Sequence, residues 1–299
     1  MNNIGVDLGN ANVNTSEGIE FESKIKTGII NMNESDLKVI FEGLDYTVGA
    51  IDGSPNISKK RHKKLAYKIS LLTAIAKSYT IKNIKCNVVV GVPVEWFNDQ
   101  ELKNDIKETI LSWGPQKITV NGTEKTINIE NADIFCESAI VFQDREKFKK
   151  EKTLVVDCGG STIDVSFWDG LNLLYARTYK DGMISLYGNV AKAINSKYKT
   201  DIAAYIAKEC VGKETFEINQ ELKDIKFVDA VVQNYVDGLT SYINQEFEVD
   251  AATSIQLIGG GAIQLAEKLQ DEYEKAILNE DAAFANANTY KKVADVLWT

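Results

Sequence analysis

The chain has 299 residues, 44% of them apolar and 26% charged, with a net charge of −9. That composition supports a sizeable core and excludes a disordered chain, while the acidic balance disfavours direct, non-specific DNA binding. A single histidine, His62, and four scattered cysteines, Cys86, Cys136, Cys158 and Cys210, argue against a Ser-His-Asp triad or a His-rich metal centre. They fit reduced thiols in a cytoplasm. No stretch approaches the ~18–20 apolar residues of a membrane span. The N-terminus lacks the basic region and apolar run of a signal peptide, so a cytoplasmic location is expected. The length suggests two domains.

In chain order, residues 3–8 and 11–15 read as two strands around a glycine turn, and 37–41 and 45–50 as two more. The basic run KKRHKK at 59–64 reads as the solvated start of a helix. In that helix Leu65, Ile69, Leu72 and Ala76 fall at helical spacing with lysines opposite. IKCNVVVGVP is a buried-strand pattern stopped by Gly91 and Pro93. A helix with Leu102, Ile106, Ile110 and Trp113 on one face follows. Strands near 117–120 and 125–130 then flank Asn121-Gly122, a hairpin dipeptide. The second half starts at TLVVD: strands near 153–157, 162–168 and 171–177, then a helix over 184–198. A long helix spans roughly 227–247, with Phe227, Val231, Tyr235, Leu239 and Ile243 every four residues. SIQLI is a buried strand that passes through three glycines into a last helical pattern. This mixture predicts α/β layers.

An internal repeat marks the two halves. VDLGNANV at 6–13 and VDCGGSTIDV at 156–165 share apolar–Asp–x–Gly followed by small polar residues. One such match reads equally as a polar β-hairpin turn or as an anion-binding loop. Its recurrence at the start of both halves favours the loop, with backbone N–H groups turned to a phosphate and a carboxylate beside it for magnesium. IGGGAIQL at 258–265 sets three glycines between a strand and a helix N-terminus, which suits a phosphate or a sugar. Neither an ordinary P-loop nor a convincing dinucleotide fingerprint is present.

The order VDLGNANV, VVVGVPV, VVDCGGSTIDV, YKDGMISL and LIGGGAIQL resembles the superfamily of actin, sugar kinases and heat-shock chaperone ATPases. Within it the chain is most similar to the ParM-type plasmid-segregating bacterial actins. The resemblance implies an actin-like α/β fold, with two ribonuclease-H-like domains flanking a nucleotide cleft. Domain I would cover 1–151 with 285–299 returning to it, and domain II 152–284. Gly9, Asn10, Ala11 and Asn12 would form the first phosphate turn, and Gly159, Gly160, Ser161 and Thr162 the second. Asp7 and Asp157 would hold magnesium, mainly through its waters. Glu137, in CESAI, would orient and polarise the water that attacks the γ-phosphate. Asp181 and Gly182 would approach the ribose, and Gly259, Gly260, Gly261 and Ala262 would pass the α-phosphate and sugar.

One departure stands out: many relatives carry a lysine two residues after the first turn, and here the position is Asn14. Another basic residue would have to take its place, or affinity or hydrolysis would be lower. The base pocket is poorly marked, so ATP over GTP is a preference taken from the family. The resemblance implies an ATP hydrolase that polymerises into filaments and segregates plasmid DNA through a centromere-binding adaptor of the ParR type. The chain itself would touch neither DNA nor membrane. The alternatives are a sugar or acetate kinase of the same superfamily and a cell-shape or division scaffold.

Overall fold

The computed structural model describes residues 1–29, 35–50 and 60–299. Of the basic run, Lys59 lies outside the described residues. The chain divides into two compact units, one of Met1–Arg145 with Ala283–Thr299 and one of Glu146–Ala282.

The first unit holds β1 (Asn2–Leu8), β2 (Asn12–Thr15), β3 (Glu20–Glu22), β4 (Ile25–Thr27), β5 (Leu37–Phe41), β6 (Leu44–Val48), α1 (Leu65–Ser78), β7 (Asn83–Val92), α2 (Gln100–Ser112), β8 (Gln116–Val120) and β9 (Thr123–Cys136). One helical turn, α3 (Arg145–Phe148), leads into the second unit. That unit holds β10 (Lys152–Cys158), β11 (Ile163–Asp169), β12 (Asn172–Tyr179), α4 (Met183–Tyr198), α5 (Ala204–Ala207), β13 (Thr215–Ile218), β14 (Glu221–Asp224), α6 (Val228–Glu246), β15 (Ser254–Ile258), α7 (Ala262–Glu272) and β16 (Ala276–Leu278). The last helix, α8 (Ala285–Leu297), belongs to the first unit again.

Apart from the two-stranded β13-β14 sheet, the sheets of the two units are built on one plan. In the second unit the order is β12-β11-β10-β15-β16. The first three strands are an antiparallel meander, and β15 and β16 add in parallel. In the first unit β3-β2-β1-β7-β9 repeats that order and those directions, and β8, β5, β6 and β4 extend the sheet beyond β9. This is the ribonuclease-H-like arrangement expected for an actin-like ATPase fold. A parallel neighbour needs a crossover, and helices supply it: α1 lies between β3 and β7, and α4 to α6 lie between β12 and β15. Burying both faces makes the central strands nearly continuous apolar runs, as in Val88, Val89 and Val90 or Leu154, Val155 and Val156, all fully buried.

Three sequence expectations shift. The strand expected to end near 130 runs on to Cys136, because Glu130 is an extra residue: Ile129 pairs with Cys86 and Asn131 with Asn87. That bulge breaks the period-2 alternation and imitates a strand end. Helix α1 buries Tyr67 and Ile69 to Ala76, not one stripe, because it packs against β1 and β2 as well as β8 and β9. Its first residue, Leu65, is exposed.

The basic run is the third. Residues Arg61–Lys63 form a separate 3-10 turn before α1. Within it His62 is only 2% exposed. Its ring nitrogen lies 2.8 Å from Asp105 Oδ2 on α2. Lys63 donates to the same carboxylate and, at 3.0 Å, to Thr109 Oγ1. These donors, Lys63 first and then His62, hold the Asp105 carboxyl below its usual range. The segment is therefore an anchored turn and not a solvated helix start. Among the described residues, no helix is long and apolar enough to cross a membrane.

Candidate functional site

The first turn joins β1 to β2, with Asp7 paired across to Asn14 and Leu8 to Val13. A Cβ on Gly9 would stand 2.7 Å from the Asn12 carbonyl oxygen. Only glycine lets the chain fold back this tightly. The turn is braced from β3's end: Ser23 Oγ donates to the Asn10 carbonyl at 2.6 Å, and Ser23 N–H to the Ala11 carbonyl at 2.8 Å. Asn12 Nδ2 donates to Glu20 Oε1 at 2.5 Å. Asn14 is buried, and its amide donates to the Ala283 carbonyl at 2.7 Å, just before α8. The Asn14 side chain is thus tied to the segment that leads into α8.

The second turn repeats this geometry. Asp157 pairs across to Asp164 and Cys158 to Ile163, and a Cβ on Gly159 would again stand 2.7 Å from a carbonyl oxygen, here that of Thr162. Three amides at the start of α4 hold its carbonyls: Gly182 N–H to Ser161 at 3.1 Å, Met183 to Gly159 at 3.1 Å and Ile184 to Gly160 at 2.8 Å. With its carbonyls tied back by the helix start, the loop is set to present N–H groups on its other side. Gly259, at φ +85°, would place a Cβ 2.5 Å from Asp157 Oδ1, so the adenosine-type glycine run touches the strand-end carboxylate. Gly261 N–H donates to the Cys158 carbonyl at 3.0 Å, and Gly260 faces open space. Ala262 is buried at the first position of α7. Asp181 is exposed. Its carbonyl accepts from Tyr235 Oη at 2.5 Å and its carboxylate from Ser185 Oγ at 3.2 Å. Burial pushes the phenol of Tyr235 up and that of Tyr187 up to about 12, so both stay protonated donors. Burial likewise raises the Cys158 thiol, with Asp157 adding to it.

Glu137 is half-buried at the end of β9, its N–H bonded to the Val92 carbonyl at 2.9 Å. Ser138 beside it is fully buried with φ +60°. Asn286, on α8, joins the pieces of the first unit. Its Oδ1 accepts from Ser138 N–H at 3.0 Å, and its Nδ2 donates to Asp7 Oδ2 at 3.4 Å. The first unit thus brings together Asp7, the 9–12 turn and the link after Glu137. The second brings together Asp157, the 159–162 turn, Gly182 and the 259–262 run.

Sequence reasoning missed Asn286 and gave no site role to Asp164, the second carboxylate of the second turn, which accepts from Thr178 Oγ1 at 2.6 Å and Thr162 Oγ1 at 3.2 Å. It missed Arg61 too, whose Nη1 donates to Asn10 Oδ1 at 3.4 Å. A polar residue inside the small-residue run AFANAN was the one available signal for Asn286. Among the described residues no group of three His, Cys, Asp or Glu side chains is arranged to hold a metal ion. One strand-end carboxylate at each turn does suit a hydrated magnesium, which keeps most of its waters and takes few protein ligands.

Residues 5–139 match the N-terminal domain of actin-like proteins, and residues 155–271 match the C-terminal domain of the archaeal MreB-like actin homologue. No match was found among curated proteins. Among solved structures, the archaeal actin homologue Ta0583 in complex with ADP superimposes with a TM-score of 0.82 at 18% identity, covering 99% of this chain and 100% of that one. A 15-stranded ParM filament from Clostridium botulinum gives 0.78 at 17% identity, with 99% and 100% covered. The apo ParM protein of pSK41 gives 0.73 at 16% identity, with 99% and 97% covered. Two consecutive actin-like domain matches and one repeated turn agree: the chain belongs to the actin-like proteins, with the fold of the ParM-type bacterial actins.

Proposed function

We propose that the chain is a cytoplasmic, ATP-hydrolysing filament protein that moves copies of plasmid DNA apart through a ParR-type adaptor bound to the DNA. The observation that carries this reading is the duplicated Asp–x–Gly turn. Each unit presents the same glycine-tight loop beside a strand-end carboxylate. Each such loop suits a phosphate, and the reading takes ATP as the preferred nucleotide and GTP as the alternative.

The site works by positioning and charge neutralisation, with no covalent step on the protein. Loop N–H groups would hold the phosphates, and Asp7 and Asp157 would hold the waters of magnesium. When bound, that ion would neutralise charge on the phosphate oxygens. Glu137 would orient and polarise the attacking water. The glycine run at 259–261 and Gly182 would pass the nucleoside. Two relatives support the wider reading by what they are: one is an ADP complex and one a filament. The net charge of −9 favours a separate DNA-binding adaptor over direct contact with a phosphate backbone.

Light scattering and negative-stain microscopy test this directly. With magnesium-ATP, scattering should rise above a critical protein concentration and filaments should be visible, whereas protein without nucleotide should stay dispersed. Flat scattering across protein concentration in both ATP and GTP would overturn the filament reading.

A further inference from the structure

The first turn carries no basic residue of its own, and Asn14 on the strand after it points its amide to the Ala283 carbonyl. A phosphate at the turn still needs a cation nearby. We propose that Arg61 supplies it, as a phosphate-binding residue at the first turn; this rests on the nucleotide reading above.

Three observations converge on Arg61. Its guanidinium already reaches the turn, donating from Nη1 to Asn10 Oδ1 at 3.4 Å. It lines a small cavity against that turn together with Gly9, Ser23, Tyr67 and Ser70. Its charge is felt there, because it partly offsets the rise that burial gives the Tyr67 phenol. The residues beside it hold its turn in place. His62 and Lys63 both engage Asp105 on α2, which fastens the 3-10 turn that carries Arg61. A guanidinium carries five N–H donors in a planar fork, a geometry that suits an oxyanion. The basic run would then have a use in the site itself, supplied from an element other than the turn.

The test is calorimetric titration of wild type, Arg61→Gln and Arg61→Lys with ATP, ADP and AMP at fixed magnesium. A charge-assisted hydrogen bond is worth about 1.5–3 kcal/mol, so Arg61→Gln should weaken ATP binding by about tenfold to a hundredfold. The loss should be smaller for ADP and smallest for AMP, following phosphate charge, and part of the salt dependence should disappear with it. Arg61→Lys keeps the charge without the fork and should fall between. Unchanged ATP affinity in Arg61→Gln overturns the proposal, and so do equal losses on all three nucleotides, which would mean that Arg61 only shapes the turn. A wild type that binds no nucleotide is a different result: it removes the nucleotide reading and this proposal with it. Should Arg61→Gln fail to fold, Arg61→Lys reads the same gradient. A loss that falls from ATP to ADP to AMP then supports the proposal, and an unchanged ATP affinity or an equal loss on all three overturns it.

Discussion

Asn286 ties together two segments of the first unit that the motifs leave apart. It is 8% exposed, and its two amide ends serve two different segments, the Asp7 carboxylate and the Ser138 N–H. Ser138 holds a left-handed backbone that costs a non-glycine residue about 1–2 kcal/mol, and the bond its N–H donates to Asn286 Oδ1 stabilises it there. Asn286→Ala should therefore destabilise the protein by about 1–3 kcal/mol, the cost of an unpaired buried donor. If Glu137 positions the water, its link loses its fixed conformation as well, and phosphate release should slow more than ATP affinity falls. Chemical denaturation and a phosphate-release assay check both; an unchanged midpoint would remove Asn286 from any positioning role. Asp7 and the glycines could be singled out as candidates because they sit inside short local patterns, and Glu137 through the resemblance of CESAI. Asn286 and Arg61 could not, since their partners are 279 and 51 positions away along the chain and only the fold joins them.

Elements read well from periodicity where one face is buried and poorly where packing is two-sided. Helix α2 follows its pattern, burying Leu102, Ile106 and Ile110 behind an Asp99 cap that accepts from Leu102 N–H at 3.0 Å. The row read at four-residue spacing in α6 drifts, because four residues turn the helix by roughly 400° and not by a full circle. Val228, Val232 and Val236 enter the core in place of the row's early members, while Tyr235, Leu239 and Ile243 hold. The closing helix α8 packs against β1 and β7, and no pattern in its own sequence announces how close it comes. A Cβ on Gly5 of β1 would collide with the Ala287 carbonyl oxygen and stand 2.6 Å from Lys291 N. Both obstacles are helix backbone, which cannot rotate away. Gly5→Ala should therefore cost about 1–3 kcal/mol, the range for overpacking, and toward its upper end. Amide exchange in α8 should quicken. A denaturation midpoint equal to wild type would mean that α8 does not lie this close to β1.

At the scale of the whole molecule, the duplication visible as two Asp–x–Gly motifs extends to strand order, strand direction and the 2.7 Å approach inside each turn. In each unit the strand that opens the turn later gains a parallel neighbour, β7 beside β1 and β15 beside β10, which requires a crossover. Assembly leaves no such mark, since filament contacts are surface complementarity spread over many residues. The consequence for function can still be isolated through Glu137. A carboxylate that only orients and polarises water acts in the transition state and contributes little to holding the ground-state nucleotide. Positioned acid–base groups supply ~10²–10⁴-fold in rate, or roughly 3–5 kcal/mol of barrier. Glu137→Ala should then bind ATP with near wild-type affinity, assemble at a similar critical concentration, and release phosphate at least ~10²-fold more slowly. Filaments that depend on a bound triphosphate would outlive the supply of free ATP in this variant, while wild-type filaments shorten once ATP is spent. Time-resolved scattering after ATP depletion, read beside phosphate release, separates the possibilities. Wild-type hydrolysis in Glu137→Ala, with filaments that shorten on the wild-type schedule, would reduce Glu137 to a half-buried carboxylate at the end of a strand.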